Sequence, residues 1–247
     1  MQIQIFLKTI EPLSLPMSYH HIIQGLIYNL IRSDASYSNF LHNTGYTDGT
    51  HRFKLFTFGQ LEGHYSIKGK NIIFDDTIML EIRSPMAGFT NAMRTSLEGI
   101  DSDNTIDING QAVELVSYAC DENRADCEEV IVKMKTPMCV SNTIMEGNRR
   151  YTKYYTPLDS EFEDLIVQNA KNKYKACYGR EYRELLRIKT KSVGVNDKYV
   201  TRFKGEILIT GWSGVYSLSA TSEMIDFLYD VGIGNKNSQG FGMYDYL

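Results

Sequence analysis

The chain has 247 residues, 43% of them apolar, and carries 26 Lys and Arg against 30 Asp and Glu for a formal net charge of −4. At about 150 residues per domain this makes one large domain or two small ones. The apolar content excludes a wholly disordered chain, and no apolar run reaches the roughly 20 residues of a membrane span. The opening Met1-Gln2-Ile3-Gln4-Ile5-Phe6-Leu7 alternates like a strand and lacks the n-region and cleavage site of a signal peptide, so a cytoplasmic protein is expected.

Gln2 to Thr9 alternates Ile3, Ile5 and Leu7 and reads as a strand. Pro16 to Arg32 reads as an amphipathic helix, with Ile22, Ile23, Leu26, Ile27 and Leu30 on one face. Ser33 is placed to cap a short second helix that carries Tyr37, Phe40 and Leu41, with Gly45 just past its end. Phe53 to Phe58 and Asn71 to Ile82 read as strands. Pro85 opens a helix to about Glu98. Thr105 to Ala119 makes two strand pieces around Asn109-Gly110.

After a polar joint at Cys120 to Asp126 the order begins again. Glu129 to Lys135 is a strand, and Pro157 to Cys177 holds a helix with Phe162, Leu165, Ile166 and Ala170 at helical spacing. Leu185 to Val193 and Val200 to Trp212 read as a hairpin turning at Gly194-Val195-Asn196-Asp197. Ser219 or Thr221 caps a helix to about Tyr229, and Gly240 to Tyr246 closes as a strand. The expected fold class is α+β: strand-helix-strand-strand-helix-strand used twice, the ferredoxin-like unit, in domains 1–122 and 123–247.

Cys120, Cys127, Cys139 and Cys177 have no metal-knuckle spacing and read as isolated thiols. His20, His21, His42, His51 and His64 form no H-x-x-x-H pair, so no metal site is expected. Charge is unevenly spread. Residues 75–129 carry 13 acidic side chains against Arg83, Arg94 and Arg124, whereas residues 166–204 carry 11 Lys and Arg against Glu181, Glu184 and Asp197. Such asymmetry points to a polyanionic partner.

Four features carry candidate chemistry. In the tail, Gly232, Gly234, Gly240 and Gly242 lie within eleven residues around Lys236. Glycine admits positive φ and close backbone approach, and successive amides can form an anion nest. The segment is neither a P-loop, lacking G-K-[ST], nor a dinucleotide fingerprint, since it follows a helix and precedes a strand. On the first helix His21, Gly25, Tyr28 and Arg32 share a stripe opposite Ile23, Leu26 and Leu30, so the Tyr28 hydroxyl faces a surface where it can bond a phosphate or a reacting oxygen. His42 stands in the last turn of the second helix and is the residue type suited to acid–base work near neutral pH. Arg52-Phe53-Lys54-Leu55-Phe56-Thr57-Phe58 interleaves basic and aromatic residues, as strands that stack bases and neutralise phosphates do.

Together, the tail G-x-G-x5-G-F-G, the helix Gln24-Gly25-Leu26-Ile27-Tyr28-Asn29, and Phe40-Leu41-His42 followed by Phe53-Lys54-Leu55-Phe56-Thr57-Phe58 make the chain resemble the CRISPR-associated endoribonucleases that process precursor CRISPR RNA, a branch of the RAMP superfamily. The resemblance covers the whole chain and implies a metal-independent cut within each CRISPR repeat, with no cofactor. It places the catalytic tyrosine, histidine and lysine on Tyr28, His42 and Lys54. The stretch between His42 and Lys54 is longer than in some members and contains His51, which stands as the alternative histidine. RNA would be held by Arg52, Lys171, Lys173, Arg183, Arg187, Lys189, Lys191, Arg202 and Lys204, and by the tail at Gly232, Gly234, Lys236, Gly240 and Gly242. Arg187, Lys189 and Lys191 share one face if period-2 alternation holds. The expected partner is CRISPR repeat RNA, with other subunits of an effector complex or a second copy as further partners. Two other readings stay open: a non-catalytic RAMP subunit that binds guide RNA, and a small-molecule enzyme on a ferredoxin-like scaffold.

Overall fold

The computed structural model describes residues 1–100, 104–122, 124–147, 149–203 and 207–247. In chain order the first half contains β1 (Gln2–Thr9), β2 (Leu13–Pro16), α1 (His20–Leu30), α2 (Ala35–Asn43), β3 (Tyr46–Thr47), β4 (Arg52–Phe53), β5 (Thr57–Phe58), β6 (Glu62–Lys68), β7 (Asn71–Arg83), α3 (Ala87–Glu98), β8 (Thr105–Ile108) and β9 (Gln111–Asp121). The second half contains β10 (Glu129–Met134), β11 (Ser141–Glu146), β12 (Arg149–Tyr154), α4 (Phe162–Tyr178), β13 (Arg187–Ser192), β14 (Lys198–Phe203), β15 (Ile207–Trp212), β16 (Val215–Ser219), α5 (Ser222–Val231) and β17 (Tyr244–Tyr246). Among the described residues no helix is long and apolar enough to cross a membrane.

The expected ferredoxin-like order is present twice. In the first half β1 lies between β7 and β9, antiparallel to both, and β6 pairs with the far edge of β7. In the second half the order is β13-β16-β10-β17, again antiparallel throughout. Alternation dictates the faces: Ile3, Ile5 and Leu7 are buried under α1 and α3 with Ile23, Ile27, Phe89 and Met93. Val132, Ile188, Tyr216 and Leu218 are buried under α4 and α5 with Ile166, Ile225 and Leu228.

Several local expectations are corrected. The helix read from Pro16 begins at His20, because Leu13 and Leu15 are drawn into the core as a strand that pairs with β7 and ends at Pro16. Asp34, not Ser33, caps α2: its Oδ1 accepts the Tyr37 N–H at 2.9 Å, while Ser33 Oγ donates to the Ala92 carbonyl at 2.8 Å. The continuous strand read over Phe53 to Phe58 breaks at Leu55, whose φ is +51°. The break sends Leu55 into the second core while Phe56 and Phe58 enter the first. The hairpin read across Gly194 to Asp197 is not formed. β13 pairs with β16, and the long run from Val200 to Trp212 folds back on itself as β14 against β15. Val215–Ser219 takes the central position because Tyr216 and Leu218 complete the helix-covered face. Of the closing segment only Tyr244–Tyr246 is strand.

The two halves are joined by buried polar contacts. Arg83, 1% exposed, donates to the Tyr244 carbonyl at 2.6 Å, pairs with Glu81 and Asp245, and lies over the Tyr229 ring. Lys135 pairs with Glu81 and Glu62. A buried charge is tolerated only when paired and hydrogen-bonded, so this network fixes one mutual placement of the halves.

Candidate active site

Helices α1 and α2 and the irregular strand after α2 bring Tyr28, His42 and Lys54 together. The Tyr28 ring meets the His42 ring edge-on with centroids 5.7 Å apart and the Phe56 ring edge-on with centroids 6.1 Å apart. Tyr28 is thus half-buried against the first core rather than free on a surface stripe. Burial pushes its pKa up to about 12, so the hydroxyl keeps its proton near neutrality and serves as a hydrogen-bond donor. His42 is exposed at the end of α2 and its Nδ1 lies 3.0 Å from Asn43 Oδ1. When Nδ1–H donates to that oxygen, Nε2 presents its lone pair to solvent.

Lys54 Nζ donates to the carbonyls of Leu41 and His42, the latter at 2.8 Å. It closes the C-terminal end of α2, where carbonyls lack helical partners and the dipole favours a cation. Burial, and then the charge of Arg52, lower its pKa from the ordinary lysine value. An ammonium has three donors, so one remains for a further acceptor.

His51 lies in the turn that joins β3 to β4. Its Nδ1 is 2.9 Å from Asp48 Oδ2, and Asn172 Nδ2 on α4 is 3.5 Å from the same nitrogen. Asp48 is itself fixed by accepting from the backbone N–H groups of Thr50 and His51. Tyr28 is therefore partnered by His42, while His51 is turned to α4.

The glycine tail sits between the halves. Gly232, Gly234, Gly240 and Gly242 are all buried with positive φ. A Cβ on Gly234 would stand 2.5 Å from the Cys139 carbonyl oxygen, and one on Gly242 would stand 2.0 Å from that of Ile233. The amides of Gly232, Gly240 and Gly242 donate to Leu228, Asn237 and Pro137. The expected nest of free amides is therefore revised: these glycines permit close packing, and three of their N–H groups are used inside the protein. The loop reaches α1 through Gln24 Nε2, which donates to the Ser238 carbonyl at 2.5 Å, and β5 through Thr57 Oγ1, which donates to the Phe241 carbonyl at 3.3 Å.

The predicted cations separate into groups. Arg52, Lys54 and Lys236 line one cavity of about 410 Å³ between β4 and the tail. Lys173 forms its floor and is only 4% exposed. Lys173 Nζ donates to the carbonyls of Gly232 and Gly234 at 2.9 and 2.7 Å and to Asn237 Oδ1 at 2.5 Å. Burial pushes its pKa down to about 7, against which the three acceptors match the three donors of the ammonium. It holds the loop rather than offering charge to solvent. Arg187 and Lys189 are exposed on β13, opposite the buried Ile188, and so face away from α4 and α5, while Lys191, also exposed, lies at the irregularity where the register of β13 with β16 shifts, so the expected shared face ends at Lys189. Arg183 and Arg202 are exposed and Lys171 is half-exposed, all outside this cavity. Lys204 lies outside the described residues. Among the described residues no group of three or more His, Cys, Asp or Glu is placed to hold a metal ion.

Sequence reasoning missed the hairpin β11–β12 and the amide side chains of α4. Together with the β3–β4 turn and the tail they enclose a second cavity of about 610 Å³. The signal was available in α4, where Gln168, Asn169 and Asn172 recur at helical spacing beside the apolar stripe.

The comparisons agree with this architecture. A protein named CRISPR-associated endoribonuclease Cas6 1, from Methanocaldococcus jannaschii, is 26% identical over 251 residues, covering 98% of this chain and 91% of that protein. One named CRISPR-associated endoribonuclease Cas6, from Pyrococcus furiosus, is 25% identical over 244 residues, covering 92% and 82%. A solved structure described as CRISPR associated protein Cas6 shares the fold at TM-score 0.79 and 24% identity, covering 100% of this chain and 99% of that one. The family model described as CRISPR associated protein Cas6, C-terminal, matches residues 120–246. That match spans more than half of the sequence, and the chain belongs to the Cas6 family.

Proposed function

We propose that this chain, a CRISPR-associated endoribonuclease by its family, cuts CRISPR repeat RNA within precursor transcripts, without a metal ion, at a site formed by Tyr28, His42 and Lys54. The observation that carries the reading is that the three residues adjoin: the His42 ring meets the Tyr28 ring, and the Lys54 ammonium bonds the main-chain carbonyl of His42. The substrate supplies its own nucleophile. A base removes the ribose 2′-OH proton, the oxygen attacks the adjacent phosphorus in line, and an acid protonates the departing 5′ oxygen. The products are a 2′,3′-cyclic phosphate, or the 3′-phosphate, and a 5′-OH. His42, exposed beside Tyr28, suits one of the proton transfers. Tyr28 donates a hydrogen bond to a substrate oxygen, and the remaining Lys54 donor meets charge that develops on the phosphorane. DNA lacks the 2′-OH and is not cut by this route.

The domains fall at 1–122 and 123–247, supported by the end of β9 at Asp121 and the start of β10 at Glu129. Exposed Arg183, Arg187, Lys189, Lys191 and Arg202 carry the flanking RNA backbone, with Arg52 and Lys236 nearer the cut. The reading includes a cytoplasmic location and association with other effector subunits or a second copy, which light scattering with and without repeat RNA tests. A purely RNA-binding role is not favoured, since the relatives are named as endoribonucleases.

The test is incubation with the host's CRISPR repeat RNA in EDTA, beside the same RNA carrying a 2′-deoxy at the scissile nucleotide. Cutting of the first alone is expected. Cutting of both, or of neither, refutes the reading.

A further inference from the structure

The cavities of about 410 and 610 Å³ are one continuous groove, because His51, Phe53, Asn169, Asn235 and Lys236 line both. Among the described residues no carboxylate lines either part, although the chain carries 30 Asp and Glu. The end beside Lys54 is cationic. The far end is dominated by neutral side chains, among them Asn142, Gln168, Asn169 and Asn172. Gln168 Nε2 donates to Asn172 Oδ1 at 2.7 Å, and Asn172 Nδ2 reaches the His51 ring, so part of this polar wall is held in place. Asn169 differs: its Oδ1 is buried and has no hydrogen-bond partner among the described residues.

An acceptor without a partner calls for a donor. A phosphodiester has none, whereas the Watson–Crick edge of a nucleobase has amino or imino groups. Amide side chains pair with base edges through one donor and one acceptor. Aromatic rings stack on splayed single-stranded bases, and Phe53 and His51, with centroids 6.2 Å apart, stand where the two parts of the groove meet.

We propose that the α4 end of this groove is a base-reading subsite, in which Asn169 accepts a hydrogen bond from one unpaired nucleobase of the RNA close to the scissile phosphate. The inference rests on the RNA-cleavage reading above and adds where sequence is read. Cations at the Lys54 end hold the phosphates, and the amides of α4 discriminate the base.

The experiment measures Kd for repeat RNA made uncleavable by a 2′-deoxy at the scissile nucleotide. Each nucleotide flanking the cut is replaced in turn by an abasic residue, and wild type is compared with Asn169→Ala, with Asn172→Ala as second variant. Asn169 is half-exposed on a helix that tolerates alanine. At one position the abasic RNA should bind wild type roughly tenfold more weakly. Asn169→Ala should bind intact and abasic RNA alike at that position, and Asn172→Ala should narrow the gap. A wild type indifferent at every position overturns the proposal. So does an Asn169→Ala variant that weakens all RNAs equally and keeps the position-specific loss, which marks a structural role. A 2′-deoxy at the read nucleotide that reproduces the loss where the abasic residue does not assigns Asn169 to the ribose and also overturns it. If wild type cuts the intact RNA while no position matters, only this inference falls; if it neither binds nor cuts, the function falls with it.

Discussion

Replacing His20 by Phe should remove an acid limb from the stability of the protein. His20 opens α1 and is 4% exposed, packed among Tyr19, Phe58, Tyr199 and Phe241, with neither ring nitrogen hydrogen-bonded among the described residues. Burial, then the neighbouring His21, push its pKa down from 6.5 to about 4. In the unfolded chain the imidazole takes up a proton near its ordinary value, so between those two values the unfolded state binds more protons. Stability therefore rises with pH across that window and is lost as pH falls through it. At about 1.4 kcal/mol per pKa unit, the drop attributable to His20 is roughly 3 kcal/mol. Urea unfolding of wild type and His20→Phe from about pH 7.5 to about pH 4 measures it, with carboxylate titration common to both proteins. Near neutrality the variant should be at least as stable as wild type, because an unpaired buried N–H, itself costing about 1–3 kcal/mol, is gone. Parallel stability profiles for the two proteins would refute the burial argument.

Four further outcomes are expected. His42→Ala should slow single-turnover cleavage by about 100-fold or more while Kd changes little, and His51→Ala should cost under about tenfold; the reverse ranking would move the chemistry to His51. Lys173→Met leaves three acceptors unpaired but relieves a buried charge, for a net loss of roughly 3 kcal/mol, and an unchanged melting temperature would refute its loop-holding role. Gly242→Ala should prevent folding or cost about 3 kcal/mol or more, whereas Gly25→Ala, whose added Cβ meets no described atom beyond its own helix backbone, should be neutral or stabilising in a melting assay. Lys189→Ala with Lys191→Ala should flatten the plot of log affinity against log salt by about 0.7 per lost phosphate contact while leaving the saturated cleavage rate alone, and an unchanged slope would remove these lysines from the interface.

The double ferredoxin-like order was legible because its defining elements bury one face. The alternation of Ile3, Ile5 and Leu7 and the helical spacing of Phe162, Ile166 and Ala170 are forced by the two cores. β6 and the hairpin β11–β12 were not legible because their residues are almost all exposed, so no apolar period marks them. Lys173 was misplaced by composition, which counts a lysine as surface charge wherever it points. Its helical phase was the better guide, since three residues after Ala170 it falls on the stripe that α4 buries. The run of glycines in the tail is plain in the sequence, and the structure gives it a packing reason. Positive φ and close approach are both needed there, and they serve the packing of Gly240 onto His20 and Phe58 and of Gly234 onto Cys139.

That packing explains why a site whose three candidate catalytic side chains come from the first half needs the second. Tyr28 and His42 stand on short helices, and Lys54 follows a two-residue strand, so local structure alone fixes them weakly. Their support passes through contacts that cross the junction. Leu55, directly after Lys54, is buried in the second core. Gln24, one helical turn before Tyr28, bonds the tail at Ser238, and Lys173 bonds that tail from below. In-line attack tolerates little misplacement, and a shift of about 1 Å can cost 100-fold in rate. If Tyr28, His42 and Lys54 carry the cut as proposed, the second half contributes to it by position. Loosening it at Lys173 should lower the cleavage rate of bound RNA without changing which groups perform the proton transfers.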